Sequence, residues 1–352
     1  MLINILFLIL GFLLLIKGAD IFIESSSKIA KKIGVSEFII GLTLTSVGTS
    51  IPELASGISA SLGKHSGLII GNIVGSNIAN IGLIFGISAY LRSMKTRRKI
   101  YERDGYILIT SIILFLAFSL DNVLSQLESF FLLALYFFYI MFLLKSKNTK
   151  TKKYKFHDFI QYVVDFKYIT SVKSHMFRKA VNKVPSQRTE SEKKIIQLFK
   201  EGIFKDIMIL VISLVAIIFG SKFMIEQAVF FANLLSINES VIGLSLVAIG
   251  TSMPELMVSI SAIRKKHHNL ILGNVIGSNI ANVCLIGGVS GIIHPITISE
   301  LSVTYNIPVM LFFSLALTYF VKSKWKISRK QGIIVLVAYF IFIVLAFISG
   351  WR

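Results

Sequence analysis

One apolar segment occurs twice in this chain, and the duplication limits its possible folds more than any other feature. Residues 41–86 and 243–288 align without a gap, and the second copy starts 202 residues after the first. Both copies contain the strings GTS-x-PE and GSNIAN within otherwise apolar sequence. Acidic, proline-containing segments at matching positions in the two halves of a membrane protein are the best indication of a transport site that a sequence offers.

The composition is that of a membrane protein. Of the 352 residues, 54% are hydrophobic and only 16% are charged, and the mean hydropathy is +0.76. These values exclude an ordinary soluble domain. A helix needs about 20 apolar residues to cross about 30 Å of hydrocarbon, and runs of this length predict an all-α integral membrane protein with ten transmembrane helices. The predicted helices lie at 2–24, 36–62, 67–91, 104–120 and 125–144, then at 203–231, 238–262, 269–293, 301–321 and 331–350.

The net charge of +19 reports topology rather than a nucleic-acid partner, which we do not expect. Lys and Arg concentrate in alternate loops, above all in the connector 145–202. Under the positive-inside rule these loops are cytoplasmic, so both termini lie outside the plasma (inner) membrane. Because five helices separate equivalent positions, the halves form inverted-topology repeats. The predicted organisation is a five-helix repeat at 1–144, a basic cytoplasmic loop at 145–202 and a second repeat at 203–352, with the lipid bilayer and no obligate protein as partner.

Two features outside the duplicated segment have two interpretations each, and the single cysteine within the second copy has one. Apolar residues among the basic ones of the connector indicate either a segment on the anionic cytoplasmic leaflet or a solvated linker, and we favour the linker. Glu24 and Glu226 are equivalent positions late in the first helix of each half, where they are either solvated or part of an ion entrance. The single cysteine, Cys284, lies within an apolar span and is expected to serve packing alone.

A proline interrupts the second helix of each half. Pro52 has no N–H and its ring crowds the carbonyl of Gly48, and Pro254 does the same to Gly250. In hydrocarbon such a break is tolerated where it is buried in protein or lines a polar cavity. A bound cation is one partner that satisfies the freed carbonyl groups.

A glutamate follows each proline directly. Glu53 and Glu255 start the second half of their helices, where the helix dipole favours a negative charge. An acidic residue near the middle of a bilayer is costly, and its default interpretation is functional. Ca²⁺ neutralises two carboxylates and takes 6–8 oxygen ligands, which neighbouring hydroxyl and carbonyl groups supply. The neighbouring donors are Thr49, Ser50, Thr251 and Ser252.

The string GNxxGSNIAN predicts a closely packed third helix in each half. Gly71, Gly75 and Ala79 form a stripe of small residues that allows close approach of a neighbouring helix. Ser76 and Asn80 lie four residues apart, share a face, and meet Glu53 if helices 2 and 3 are antiparallel neighbours. The second copy repeats this arrangement with Ser278, Asn282 and Glu255. Asn77 and Asn279 are either further ligands or partners in interhelical hydrogen bonds.

These paired motifs resemble the α-repeats of the sodium/calcium exchangers in the cation/Ca²⁺ exchanger superfamily, in the small prokaryotic form without calcium-sensing domains. The resemblance implies ten helices in two inverted halves, with ion sites between helices 2, 3, 7 and 8. It implies transport by alternating access, in which the first helix of each half slides against the rest, and no enzymatic activity or prosthetic group. The residues that it assigns to the ions are Glu53, Glu255, Thr49, Ser50, Thr251, Ser252, Ser76, Ser278, Asn80 and Asn282, with the carbonyl groups of Ser46 and Ala248.

One departure from the family pattern concerns Asn80 and Asn282, because many relatives carry Asp at one or both positions. The Asn pair removes a titratable group, so potassium co-transport is less expected and the stoichiometry is open. The leading hypothesis is a secondary active antiporter that exchanges Na⁺ for Ca²⁺. The alternatives are a cation/H⁺ antiporter of the same fold and, less favoured, a passive cation channel.

Overall fold

The computed structural model describes residues 2–33, 36–145, 155–164, 202–234 and 252–349. Most of the connector and the start of the predicted helix 238–262 lie outside these ranges. The helices are α1 (Leu2–Ile33), α2 (Glu37–Ile40), α3 (Ser46–Thr49), α4 (Ile51–Leu62), α5 (Ser66–Ala79), α6 (Gly86–Leu91), α7 (Tyr106–Phe118), α8 (Gln126–Lys145), α9 (Phe156–Val164), α10 (Ile203–Leu234), α11 (Met253–Arg264), α12 (His268–Ala281), α13 (Gly287–Ile293), α14 (Ile307–Lys322) and α15 (Arg329–Ser349).

Segments of π-helix join or extend several of these helices. They lie at Gly41–Thr45, Asn80–Phe85, Ile100–Gly105, Asn282–Ile286 and Ser302–Asn306. A 3₁₀ helix at Ser323–Trp325 and four two-residue strands complete the described elements. The strands are β1 (Met94–Lys95), β2 (Val123–Leu124), β3 (Ile296–Thr297) and β4 (Lys326–Ile327).

The protein is mostly helical and has helices that suit a membrane. Within the described residues, six helices are long and apolar enough to span a bilayer, and a seventh span results if the pair Glu37–Thr49 and Ile51–Leu62 is counted as one bent helix. The expectation of an α-helical membrane protein is therefore confirmed in outline. The full number of ten helices stays a prediction.

The first helices of the two halves, α1 and α10, pack along each other. Glycines permit the close approach: a Cβ on Gly220 would lie 2.9 Å from the carbonyl oxygen of Gly11, and one on Gly18 would lie 3.2 Å from that of Ser213. An ion pair of 2.6 Å between Lys32 and Asp206 links the same two helices near the end of α1. The two helices therefore form a paired unit at the side of the bundle.

The centre of the bundle is formed by α12, whose span is 94% buried. It packs against the segment Gly41–Thr45 of the first copy. Backbones meet there, because a Cβ on Gly41 would lie 2.6 Å from the carbonyl oxygen of Leu270, and one on Gly277 would lie 2.7 Å from that of Leu42. The small-residue stripe predicted for the third helices thus has tight contacts in the second copy. In the first copy, a Cβ on Gly71 would meet no described atom within 4 Å.

Two short antiparallel ribbons join the two halves reciprocally. Strand β1 pairs with β4, and β2 pairs with β3. Strand β3 occupies the positions 202 residues after β1, and β4 lies within one residue of the positions 202 residues after β2. Each ribbon therefore repeats the other with the two halves of the chain exchanged. Such exchange is what a twofold relation between the halves requires.

Equivalent helices run in opposite directions between the ribbons. The first, α5 to α6, starts beside β3 and ends just before β1. At its start, the Ser66 hydroxyl oxygen accepts a hydrogen bond of 3.1 Å from the Thr297 N–H in β3. The second, α12 to α13, starts near Asn269, which lines one cavity with Arg97 after β1, and it ends just before β3.

Candidate functional site

Helix α3 ends and α4 begins at Ser50, where the chain bends by 46°. The backbone of Ser50 leaves the helical region, with φ −85° and ψ 10°, and Pro52 occupies the first turn of the new helix. Ser252 has nearly the same conformation before Pro254, with φ −88° and ψ 6°. The first residues of a helix do not use their N–H groups in intrahelical hydrogen bonds. Proline, which has no N–H, is therefore well tolerated at this position. The proline therefore starts a helix in both copies, and the carbonyl group of Gly48 loses its usual donor.

Both glutamates are buried in the first turn of these new helices. Glu53 is 1% exposed and Glu255 is 2% exposed. One carboxyl oxygen of each, Oε2, has no hydrogen-bond partner among the described residues. The hydroxyl of Ser50 donates to Oε1 of Glu255 at 3.2 Å, so groups from both copies meet. Buried carboxyl groups with open acceptor positions are chemically suited to a cation, which supplies the missing partner.

Further unpaired oxygens come from the predicted asparagines and serines. Oδ1 of Asn80 and Asn282 and Oγ of Ser252 and Ser278 are buried and lack a hydrogen-bond partner within the described ranges. Each asparagine is the first residue of a π-helical segment. Single π turns inside α-helices occur frequently at functional sites. Neutral oxygens of this kind suit both Na⁺ and Ca²⁺.

The two copies interlock at this site. Helix α4, which carries Glu53, contacts the π segment that begins with Asn282. Helix α11, which carries Glu255, contacts the π segment that begins with Asn80. Helices α4 and α5 are also neighbours, as the sequence predicted. The glutamate of one copy thus lies on a helix that meets the asparagine segment of the other, an arrangement that the sequence did not predict.

The remaining predicted positions have different roles in the structure. The carbonyl oxygen of Ser46 accepts from the Ser50 N–H at 3.0 Å and from the Thr49 hydroxyl at 3.4 Å, so it is already hydrogen-bonded. The hydroxyl of Ser76 donates to Oδ1 of Asn72 at 3.5 Å. Thr251 and Ala248 lie outside the described residues.

Among the described residues, Asn77 and Asn279 do not form the interhelical hydrogen bonds that were one of their two predicted roles. Each donates its side-chain amide to the carbonyl oxygen four residues earlier in its own helix, at 2.7 Å. The amide oxygen of each has no described partner. These side chains therefore bond to their own helix and leave one buried acceptor open.

Sequence reasoning missed one pair of residues, Asn72 and Asn274. The amide of Asn72 donates to the backbone carbonyl oxygen of Glu53 at 2.9 Å, and Oδ1 of Asn274 accepts from the Thr49 hydroxyl at 3.4 Å. Both asparagines thus position residues at the helix breaks. The signal was available, because Asn72, Ser76 and Asn80 recur every four residues along one helix face.

Replacing Asn72 with alanine is expected to weaken calcium binding about two- to tenfold without loss of folding. A hydrogen bond contributes about 0.5–1.5 kcal/mol, and its loss leaves the Glu53 backbone less firmly placed. The measurement is isothermal titration of the purified protein with Ca²⁺. Asn306→Ala is the matched control, since that amide donates to the Ser302 hydroxyl four residues earlier and lies outside the site. An unchanged affinity in Asn72→Ala would refute the positioning role.

The site holds few charged ligands. No group of three or more His, Cys, Asp or Glu residues suited to a metal occurs in the described part of the chain. A pair of carboxyl groups among neutral hydroxyl and amide oxygens suits hard cations such as Na⁺ and Ca²⁺ rather than transition metals.

Comparisons with known proteins show the family to which the chain belongs. The family model for the sodium/calcium exchanger protein matches residues 3–145 and 205–348. Sodium/calcium exchanger MaX1 of Methanosarcina acetivorans is 45% identical over 345 residues, which cover 98% of this chain and 99% of MaX1. Inner membrane protein YrbG of Escherichia coli is 28% identical over 92% of this chain and 90% of its own length.

The fold also matches solved structures. A structure of the sodium-calcium exchanger NCX_Mj, soaked with Na⁺ and Ca²⁺, superposes with a TM-score of 0.76 at 29% identity, covering 97% of this chain and 98% of NCX_Mj. The family match includes both halves of the chain, each with its helix break, glutamate and asparagine. The chain belongs to the sodium/calcium exchanger family, a family of membrane transporters.

Proposed function

We propose that this chain is a secondary active antiporter that exchanges Na⁺ for Ca²⁺ at one site shared by its two halves. The observation that carries the proposal is the set of buried, unpaired oxygens on Glu53, Glu255, Asn80 and Asn282. Burying such groups without partners is costly, and a cation taken from water repays that cost. The names of MaX1 and NCX_Mj, which state sodium/calcium exchange for those proteins, support the same ions here.

The proposed topology has ten helices in two inverted five-helix repeats, with 145–202 as the cytoplasmic loop between them and both termini outside. Support comes from the reciprocal ribbons and from the opposite directions of the helices that start at Ser66 and His268. The basic loops support the orientation. Inverted repeats give two half-sites facing opposite sides of the membrane, which alternating access requires.

In the proposed mechanism the paired helices α1 and α10 slide against the rest of the bundle. Polar contacts hold α1 to the end of α11: the Lys265 ammonium donates to Glu24 at 2.5 Å and to the Asp20 carbonyl at 2.9 Å, and the Ser261 hydroxyl donates to Asp20 at 2.6 Å. The first-copy positions equivalent to Arg264 and Lys265 are Leu62 and Gly63, which cannot form such contacts. The contacts of Lys265 and Ser261 with Asp20 and Glu24, here called the polar latch, therefore have no equivalent at Leu62 and Gly63.

Replacing Lys265 with glutamine is expected to open that end of the protein more often. A partly exposed ion pair contributes about 0.2–1 kcal/mol, so the open population rises by a factor of about 1.4 to 5. The measurement is the rate of maleimide labelling of Ser27→Cys, a buried position on α1, in a Cys284→Ser background. Lys266→Gln is the control, since Lys266 has no ion pair among the described residues. Equal labelling rates in both variants would argue against the latch.

The function is tested by calcium uptake into vesicles that contain the purified protein. An outward Na⁺ gradient is expected to drive ⁴⁵Ca²⁺ uptake, and dissipating the gradient with a sodium ionophore is expected to stop it. A pH gradient without Na⁺ is expected to drive none. Uptake with the pH gradient alone would instead establish the cation/H⁺ antiporter, and uptake without any counter-ion would establish a channel.

Potassium is not required in this proposal. The Asn80 and Asn282 amides are neutral, so the site holds only the two carboxyl charges of Glu53 and Glu255. Uptake driven by Na⁺ is therefore expected to be the same in potassium and in choline buffers. A requirement for K⁺ would contradict this part of the proposal.

A further inference from the structure

A cavity of about 460 Å³ lies where the β1–β4 ribbon joins the helices, away from the ion site. Its walls come from the starts of α7 and α9 and from the end of α14. The side chains that the argument uses are Arg98, Tyr101, Lys155, Phe156, Lys322 and Trp325. This volume is within the range of cavities that bind small ligands.

The cavity lies at the boundary between hydrocarbon and water. The apolar span Ser302–Trp325 ends at its edge, and Tyr106 and Trp325 line it with 45% and 37% of their surfaces exposed. Tyr and Trp are enriched at this depth because their rings are apolar and their polar atoms reach water. Exposed Leu315 and Tyr319 continue from Lys322 along the outer face of α14. An apolar track thus leads from the cavity into the bilayer.

The cavity is positively charged. The Arg98 guanidinium is paired with Glu102 at 2.5 Å. The Lys322 ammonium lies 5.2 Å from the centre of the Tyr101 ring. Neither Lys155 nor Lys322 has an ion pair with a carboxylate among the described residues. The Glu102 carboxylate also lines the cavity, but it pairs with Arg98, so the two lysines leave the lining with a net positive charge.

Helix α9 holds one wall of the cavity in place. Phe159 and Tyr162 are 2% and 3% exposed, and the Phe159 ring packs against Phe142 of α8 with centroids 5.5 Å apart. The Phe156 ring lies 6.0 Å from Tyr106 of α7. This part of the connector is therefore a docked helix rather than a solvated linker. Its docking fixes Lys155 and Phe156 opposite Lys322.

We propose that this cavity binds the headgroup of an anionic phospholipid. The phosphate group accepts charge-assisted hydrogen bonds from Lys155 and Lys322, and the glycerol region lies against Trp325. Basic pockets between transmembrane helices are known binding places for acidic headgroups. The apolar track of Leu315 and Tyr319 accommodates an acyl chain, which favours a lipid over a free phosphate ion.

The test uses the fluorescence of Trp325, one of two tryptophans in the chain. Trp351→Phe leaves Trp325 as the only tryptophan, and the full protein is placed in vesicles that contain brominated phosphatidylglycerol or brominated phosphatidylcholine. We expect brominated phosphatidylglycerol to quench Trp325 as strongly as brominated phosphatidylcholine does, but at a mole fraction at least about fivefold lower. Lys155→Gln with Lys322→Gln is expected to abolish this difference.

The control removes the same charge elsewhere at the same end of the bundle. Lys95→Gln with Lys330→Gln changes two exposed lysines that do not line the cavity, and it is expected to keep the preference. Equal quenching by the two lipids, or equal loss of preference in both double variants, would overturn the proposal. Reversal of the quenching by millimolar inorganic phosphate would assign the cavity to a soluble anion and would also overturn it.

Discussion

Replacing Glu53 or Glu255 with glutamine is expected to abolish exchange and to weaken calcium binding at least about 100-fold. Each variant keeps the shape of the side chain but removes one of the two charges that face the ion. A unit charge 4 Å from another contributes about 4 kcal/mol at an effective dielectric constant of 20, and a divalent ion doubles the charge product. The measurement is ⁴⁵Ca²⁺ uptake under a Na⁺ gradient, together with calcium titration of the purified variants.

Folding is expected to survive these two substitutions, because glutamine removes a buried charge that has an oxygen without a described partner. Glu300→Gln, an exposed glutamate outside the site, is the control and should transport normally. Gel filtration and the thermal unfolding midpoint without calcium show whether the variants fold. Transport retained in both Glu53→Gln and Glu255→Gln would mean that the ion binds elsewhere.

Replacing Gly41 with alanine is expected to destabilise the protein by about 1–3 kcal/mol, which is typical of overpacking. The new methyl group would lie 2.6 Å from the Leu270 carbonyl oxygen and 3.0 Å from the Gly273 Cα, both of which are backbone atoms of the central helix α12. Backbone atoms cannot move aside as a flexible side chain does. The Gly41 segment of the first half and helix α12 of the second half must therefore move slightly apart, and this contact is the one that aligns the residues of the candidate site.

The thermal unfolding midpoint and the calcium affinity of Gly41→Ala are both expected to fall. Gly67→Ala is the control, because a Cβ there meets no described atom within 4 Å and alanine favours a helix over glycine. Normal stability and affinity in Gly41→Ala would show that the close approach of the two halves has no energetic importance.

The sequence predicted the parts of the site that depend on local chemistry. Proline can be recognised as a helix break in any context, and a glutamate in an apolar run is unusual enough to indicate a function by itself. Pro52, Glu53 and their second-copy equivalents are accordingly found at helix starts, and both glutamates are buried. The family was also predicted correctly from these motifs.

The parts that the sequence did not predict depend on how distant segments pack. The contact of α4 with the Asn282 segment, and of α11 with the Asn80 segment, results from packing between halves, which no residue pattern within one copy encodes. The π-helical segments are a second example, because no residue type favours them strongly enough to recognise. Thr251 and Ala248 stay predictions from the family pattern.

The central claim, that Na⁺ and Ca²⁺ use one site formed by both halves, is tested most directly by competition at equilibrium. Calcium binding to the purified protein is titrated at increasing Na⁺ concentrations, with choline keeping the ionic strength constant. We predict that the calcium dissociation constant rises steeply with Na⁺ while the number of bound calcium ions at saturation stays the same. Calcium affinity that does not change with Na⁺ but changes with pH would contradict the claim.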